Sequence, residues 1–318
     1  MIWLAWRHIR TQTLVLFAVL IALVVFGRVA GAQLRHQFAV VNSCVQHGCT
    51  SYSYSFNFGE ELAGHYLGQA VVYALPVITG MFWGAPLVAR ELSTGTARTA
   101  WTQSVTRTRW LTTKLAITGT ASIAATALLS LSATWWFTSF DNFTDDSRFD
   151  SMAFDVHGLA PIGYAAFGFT LGVLAGMIWR RTIPAMVTTL VTFVAARIAV
   201  TEWIRPNFQT PRTLAMSLNS LNASLNSNPE SGLFGAPPLT PSVNDWVISN
   251  KVIDPSGHVV NVAKTFQSQA YVDELRVVIK YQPANRYWPF QIYETLLYTA
   301  AAAVLIGVSF WLLRRRSA

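Results

Sequence analysis

The chain has 318 residues, 52% of them apolar and only 12% charged, and its mean hydropathy is +0.36. A soluble domain carries about a quarter charged residues, so most of this surface faces something other than water. The net charge of +8 would suggest nucleic acid in a soluble protein. Here the apolar residues fall in long blocks, which argues for a membrane and against a nucleic-acid partner.

The chain opens with Trp3, Trp6, Arg7 and Arg10. On a helical wheel Ile2, Trp6 and Ile9 share a face, with Trp3 at its edge. Residues 1–12 therefore read as a short helix in the membrane interface, where Trp and Arg are at home. The plainer alternative is a basic flank to the first span. Six stretches follow that can cross a hydrocarbon core, each near the roughly 20 residues this requires: Thr13–Gly31, Tyr66–Val88, Leu115–Phe137, Pro161–Ile178, Pro184–Trp203 and Pro289–Leu313. Ala30-Gly31-Ala32 resembles a signal-peptide cleavage site, but the Trp-rich start and Arg28 favour an uncleaved span.

Lysine and arginine near the span ends set the orientation. One side holds Arg7, Arg10, Arg90, Arg98, Arg107, Arg109, Lys114, Arg180, Arg181 and Arg314 to Arg316, with Glu91 as its one acid. The opposite side holds Asp141, Asp145, Asp146, Asp150 and Asp155 in one loop. This alternation predicts six crossings with both termini in the cytoplasm. Residues 32–65 form an outer loop, where Cys44 and Cys49 sit on the oxidising side and read as a local disulfide. Zinc held by Cys44, His47 and Cys49 is the alternative, and it lacks a fourth ligand; no other metal site is read.

The basic loop 89–114 is rich in Arg, Thr and Trp. Gly95 breaks a helix, Trp101 and Trp110 supply apolar anchors, and Arg98, Arg107 and Arg109 supply directional donors. Such residues dominate protein–protein hot spots. A loop that only fixes topology and touches anionic lipid is the bland alternative. Within the spans, Arg197 lies two turns from the outer end of the fifth and Glu294 one turn into the sixth. Ionisable groups at that depth face a partner or a cavity, so an Arg197–Glu294 pair is expected, with outward snorkelling of Arg197 as the alternative. Gly168, Gly172 and Gly176 follow one another at four-residue spacing and permit close helix approach, inside one subunit or between two.

Residues 204–288 form the largest polar segment and read as a small mixed outer subdomain. Asp245–Ile253 alternates in part, 254–257 reads as a turn, and 258–262 as a returning strand. No catalytic residues are visible, and no G-x-x-x-x-G-K-[ST] phosphate loop is present. The chain thus reads as a non-enzyme with no cofactor of its own.

The phrase Gly84 to Glu91, followed by Gly95-Thr96, by Trp101 to Ser104 and by Arg107 to Trp110, resembles the permease subunits of actinobacterial ABC-2-type transporters. The opening Met1 to Arg7 and the stretch Tyr281 to Gln291 are also similar to that family, so the resemblance spans the chain. It implies an all-α membrane protein, with an interfacial helix ahead of six spans. The loop after the second span would dock on a separate ABC ATPase subunit, which binds ATP and Mg. Two permeases, as a homodimer, would assemble with two such subunits. By position, Glu91, Gly95, Thr96, Arg98 and Trp101 become the coupling region, flanked by Arg107 and Arg109. The expected function is export of a lipid, peptide, antibiotic or drug-like molecule. Two rivals remain: a sensor or immunity protein binding an external ligand through residues 204–288, and an ion-coupled carrier using Arg197, Glu202 and Glu294.

Overall fold

A computed structural model describes residues 58–96, 106–137, 148–217, 245–260 and 274–315, with five helical positions between 18 and 25. The expected helix 1–12, most of the span Thr13–Gly31, the loop 32–57 with Cys44, His47 and Cys49, and the loop tip with Arg98 and Trp101 lie outside the described residues.

The chain is mostly helical. In order it forms α1 (Phe58–Thr79), a π-helical turn (Gly80–Gly84), α2 (Ala85–Thr94), α3 (Arg107–Phe137), the short α4 (Ser151–Val156), α5 (Ala160–Trp179) and α6 (Thr182–Ala199). A second π turn (Val200–Ile204) and a 3-10 turn (Arg205–Asn207) follow. Strands β1 (Arg212–Ser217), β2 (Trp246–Ile253) and β3 (Arg276–Gln282) precede α7 (Tyr287–Arg315). Among the described residues, five helices are long and apolar enough to cross a membrane: Gly68–Thr94, Arg107–Trp135, Ala160–Trp179, Thr182–Asn207 and Ala284–Arg315.

Two compact units divide the chain. The first comprises Met1–Ser139, Asp155–Ile198 and Gln291–Ala318. At its centre is α5, whose apolar window is 78% buried against 22–44% for the other four spans. The reason is local. A Cβ on Gly168 would stand 2.6 Å from the Pro76 carbonyl oxygen, one on Gly176 2.5 Å from that of Ala85, and one on Gly172 would overlap that of Gly80. The glycine stripe is therefore filled from within the subunit, by the α1–α2 backbone. That backbone is itself remodelled: Pro86 at the start of α2 has no N–H for the preceding turn, and a proline there displaces the carbonyl four residues back. The chain answers with the wider Gly80–Gly84 turn, closed by the Ala85 N–H to the Gly80 oxygen.

Of the buried hydroxyls inside α3, those of Thr118 and Thr126 bond back within the helix. Thr118, Ser122, Thr126 and Ser130 are buried at four-residue spacing. Thr118 donates to the Lys114 carbonyl at 2.6 Å and Thr126 to that of Ser122 at 3.1 Å, the usual way a spanning helix absorbs hydroxyls. Ser130 reaches out instead, donating to the Gly158 carbonyl at 2.7 Å, while the Gly158 N–H donates to Thr134 Oγ1 at 2.9 Å. These bonds hold the turn before α5, where Gly158 has φ +74°. The Gln291 Oε1 of α7 then accepts from the Leu159 and Ala160 N–H groups at 3.1 and 2.8 Å. A side chain from another helix thus caps the start of α5.

The second unit comprises Phe140–Phe154 and Ala199–Phe290. Its three strands form an antiparallel sheet in the order β1-β3-β2. Apolar residues alternate along β3, and Val277, Ile279 and Tyr281 share the buried face with Leu214 and Val252. A bulge falls between Val247 and Ser249 of β2. Beyond β2 the chain turns through Asp254 to Gly257, and Val259 bridges back to Ile253. Phe149, Phe154, Phe208, Trp246, Tyr287 and Phe290 stack and pack edge to face at centroid distances of 5.5–6.4 Å. Arg205, 1% exposed, lies 4.2 Å over the Phe154 ring.

Candidate functional site

The first site is the basic end of the first unit. Helical turns take up both ends of the expected loop 89–114: α2 runs to Thr94 and α3 begins at Arg107. The cause is capping. Gly95 adopts φ +76° and closes α2 in the left-handed conformation, which glycine reaches without strain. Ser93 and Thr94 bond back to the Arg90 carbonyl at 2.9 Å. At the other foot the Thr106 hydroxyl accepts from the Arg109 N–H at 3.4 Å, while the Trp110 N–H reaches the Thr106 carbonyl at 3.0 Å, as an N-cap residue does.

Glu91 joins the two feet. Its Oε2 accepts from Trp110 Nε1 at 3.1 Å, and its Oε1 pairs with Lys114 Nζ. Lys114 also lies 4.8 Å over the Trp110 ring. Beneath them, Val88, Trp110, Leu111, Phe169, Val173, Met177 and Leu313 form one buried cluster, so four helices meet under the latch. Of the residues named from sequence, Glu91, Gly95 and Thr96 sit at the first foot. Arg107 and Arg109 occupy the opening turn of α3, with Arg109 exposed. Lys114, the partner of Glu91, was read from sequence only as part of the basic side, because the pairing runs between two helices and no local spacing marks it.

The second site is buried in the same unit. Arg197 is 5% exposed on α6. Its guanidinium pairs with Asp155 and lies 3.4 Å from Glu294 Oε1. It also lies 3.5 Å over the Tyr164 ring, with Tyr73 and Tyr298 at 5.7 and 5.9 Å. Tyr164 completes the network by donating to Glu294 Oε1, 2.6 Å away; its hydroxyl is also 3.3 Å from Asp155 Oδ1. The structure therefore brings Arg197 and Glu294 together and does not leave Arg197 snorkelling. Glu202 is exposed. Asp155, grouped by sequence with the acids opposite the basic side, lies in α4 and is 3% exposed, paired with Arg197. An ion pair in such surroundings persists only with its remaining lone pairs satisfied, and the Tyr164 hydroxyl, set between the two carboxylates, contributes to that. Among the described residues, no cluster of His, Cys, Asp and Glu could hold a metal ion.

Among the described residues, five apolar helices built around a glycine seam, with a charged network sealed inside, define a multi-pass helical membrane protein. The family described as ABC-2 membrane transporter related matches residues 14–205, more than half of the chain, and the chain belongs to that family. The match includes Glu91, Lys114, Asp155 and Arg197 and stops short of the β-sheet and α7. No curated protein matches the chain, and no solved structure does.

Proposed function

We propose that this chain is the permease subunit of an ATP-driven ABC-2-type exporter, of the kind that actinobacterial relatives exemplify, carrying a lipid, peptide, antibiotic or drug-like molecule. It sits in a bacterial plasma membrane with both termini cytoplasmic, pairs with a second copy, and docks a separate ATPase through the loop 89–114, with Glu91, Gly95, Thr96, Arg98, Trp101, Arg107 and Arg109 as the coupling residues. ATP and Mg are bound by that ATPase. The family match supports the class, and the Glu91 latch carries the coupling reading. A loop that only marks topology needs no bridge between its feet, whereas one that transmits force does.

On this reading the ATPase displaces the loop, and the Glu91–Lys114–Trp110 contacts pass the displacement to α2 and α3 together. The glycine contacts of α5 with the α1–α2 backbone pass it on. ATP drives the change only if the loop binds the ATPase differently in its two states. The Arg197 network ties α5, α6 and α7 and holds the resting arrangement. The test is purification of the native complex in mild detergent. A P-loop ATPase is expected to co-purify, and to be lost on joint substitution of Glu91 and Trp101. A complex that retains its ATPase in that double variant overturns the coupling assignment, and one that never contains an ATPase overturns the transporter.

A further inference from the structure

The last turns of α5 and α7 end on the same apolar cluster, which holds Met177 and Leu313. Just past it, α5 gives way to Arg180 and Arg181, and α7 closes on Arg314 and Arg315; all four are exposed. Arg180 takes φ +51°, which turns the chain so that both arginines emerge before α6 begins.

Their neighbours are apolar and face outward. Ile178 and Trp179 are 50% and 52% exposed, Ile183 is 76% exposed and Trp311 49%. The Arg315 guanidinium stands 4.3 Å over the Trp311 ring, so this cation is held on the flank of its span. Large apolar side chains bracketing arginines belong where hydrocarbon meets headgroups, the level that tryptophan marks. Among the described residues at this end the one carboxylate, Glu91, is engaged by Trp110 and Lys114. A protein partner would have to cover the outer flanks of two spanning helices to reach both pairs. A membrane covers them already.

We infer that Trp179–Arg181 and Trp311–Arg315 form an interfacial site for the headgroup of an anionic phospholipid. The guanidinium forks match phosphate oxygens in a bidentate way that an ammonium cannot, and the indoles hold the arginines at headgroup depth. The site rests on the orientation proposed above, which cysteine labelling at Ser104 tests separately: reaction from outside intact cells would reverse the orientation without touching lipid selectivity in detergent.

The experiment is native mass spectrometry of the complex extracted from its own membrane, offered phosphatidylglycerol and phosphatidylcholine of matched acyl chains. Preferential retention of phosphatidylglycerol is expected. The R180Q/R181Q/R314Q/R315Q variant should lose roughly fivefold of that preference per arginine removed. The matching four-lysine variant, which keeps the positive charge that sets topology, should lose much less. Equal retention of the two lipids by the unaltered protein overturns the site, and this arm needs no variant. Displacement of the lipid by an equal concentration of inorganic phosphate overturns it in favour of a free anion. Loss of a co-purifying protein with lipid selectivity unchanged overturns it in favour of a protein contact.

Discussion

Arg197 and Glu294 meet at 3.4 Å across 97 positions of sequence, with Asp155 as the second carboxylate on the same guanidinium. Replacing Arg197 by Met leaves two buried acids without their shared cation, and breaking a buried pair in this way costs about 3–5 kcal/mol. Thermal unfolding of the detergent-solubilised R197M protein should show a large fall in midpoint. The R197M/D155N/E294Q triple variant, which removes the charges together, should recover most of it. An R197M protein as stable as the parent would show that the network carries no stability.

The seam between α5 and the α1–α2 backbone makes an equally sharp prediction. A methyl group at Gly172 overlaps the Gly80 carbonyl, whereas one at Gly307 meets nothing within 4 Å. Gly172→Ala should therefore destabilise by about 1–3 kcal/mol, and Gly307→Ala should stabilise α7 by about 0.5–1 kcal/mol. Unfolding midpoints of the two variants compared side by side decide this; equal effects would contradict the packing.

Glu91 separates stability from coupling. Its side chain is 35% exposed and that of Lys114 12%, so solvent screens the pair and Lys114→Met should cost about 1 kcal/mol or less. If the latch transmits force, the same variant should still lower substrate-dependent ATP hydrolysis by the purified complex severalfold. Undiminished stimulation in K114M would reduce the latch to a local brace.

The cap on α5 predicts an asymmetric pair of variants. Gln291→Leu leaves the buried Ala160 N–H and the half-buried Leu159 N–H without their acceptor, a loss of about 1–3 kcal/mol. Gln291→Glu keeps the acceptor at a helix N-terminus, where negative charge is favoured, but its side chain is fully buried, so desolvation of the acid offsets part of that gain. Unfolding midpoints should fall for both variants, and further for the first.

Acid should act on the β-hairpin turn through Asp254. The Asp254 carboxylate accepts the Ser256 hydroxyl at 2.6 Å and the His258 N–H at 2.8 Å, and these bonds, the first most, hold its pKa below the ordinary 3.8. A depressed carboxyl contributes order above its unfolded pKa and loses it as pH falls through the folded value. The amide of His258, followed by hydrogen exchange, should keep its protection from neutral pH to about pH 4 and lose it below. D254N should show no such pH dependence.

Hydropathy and charge alternation made the five described spans legible, because burial in lipid demands long apolar runs whatever their partners. Strand β2 was legible, since Asp245–Ile253 alternates in part, whereas β3 went unread although Val277, Ile279 and Tyr281 alternate, because the polar segment around them concealed it. The widened turn at Gly80–Gly84 was not, because its cause is a proline combined with a partner helix that only the fold supplies. The burial of Asp155 was hidden for a similar reason: sequence shows a charge and its neighbours, and the partner that holds it lies 42 positions later, at Arg197. Gln291 was read as part of a family-like phrase, yet its task of capping α5 depends on a register between helices that no local pattern encodes.

The seam of Gly168, Gly172 and Gly176 on α5 has one more consequence. Side chains between helices act as bearings: they change rotamer and let two surfaces slip by small steps. Here main chain lies on main chain, so no such intermediate settings exist. A stroke applied to α2 would move α5 as one piece with it, and whatever yields during transport must lie at joints that still have side chains to rearrange.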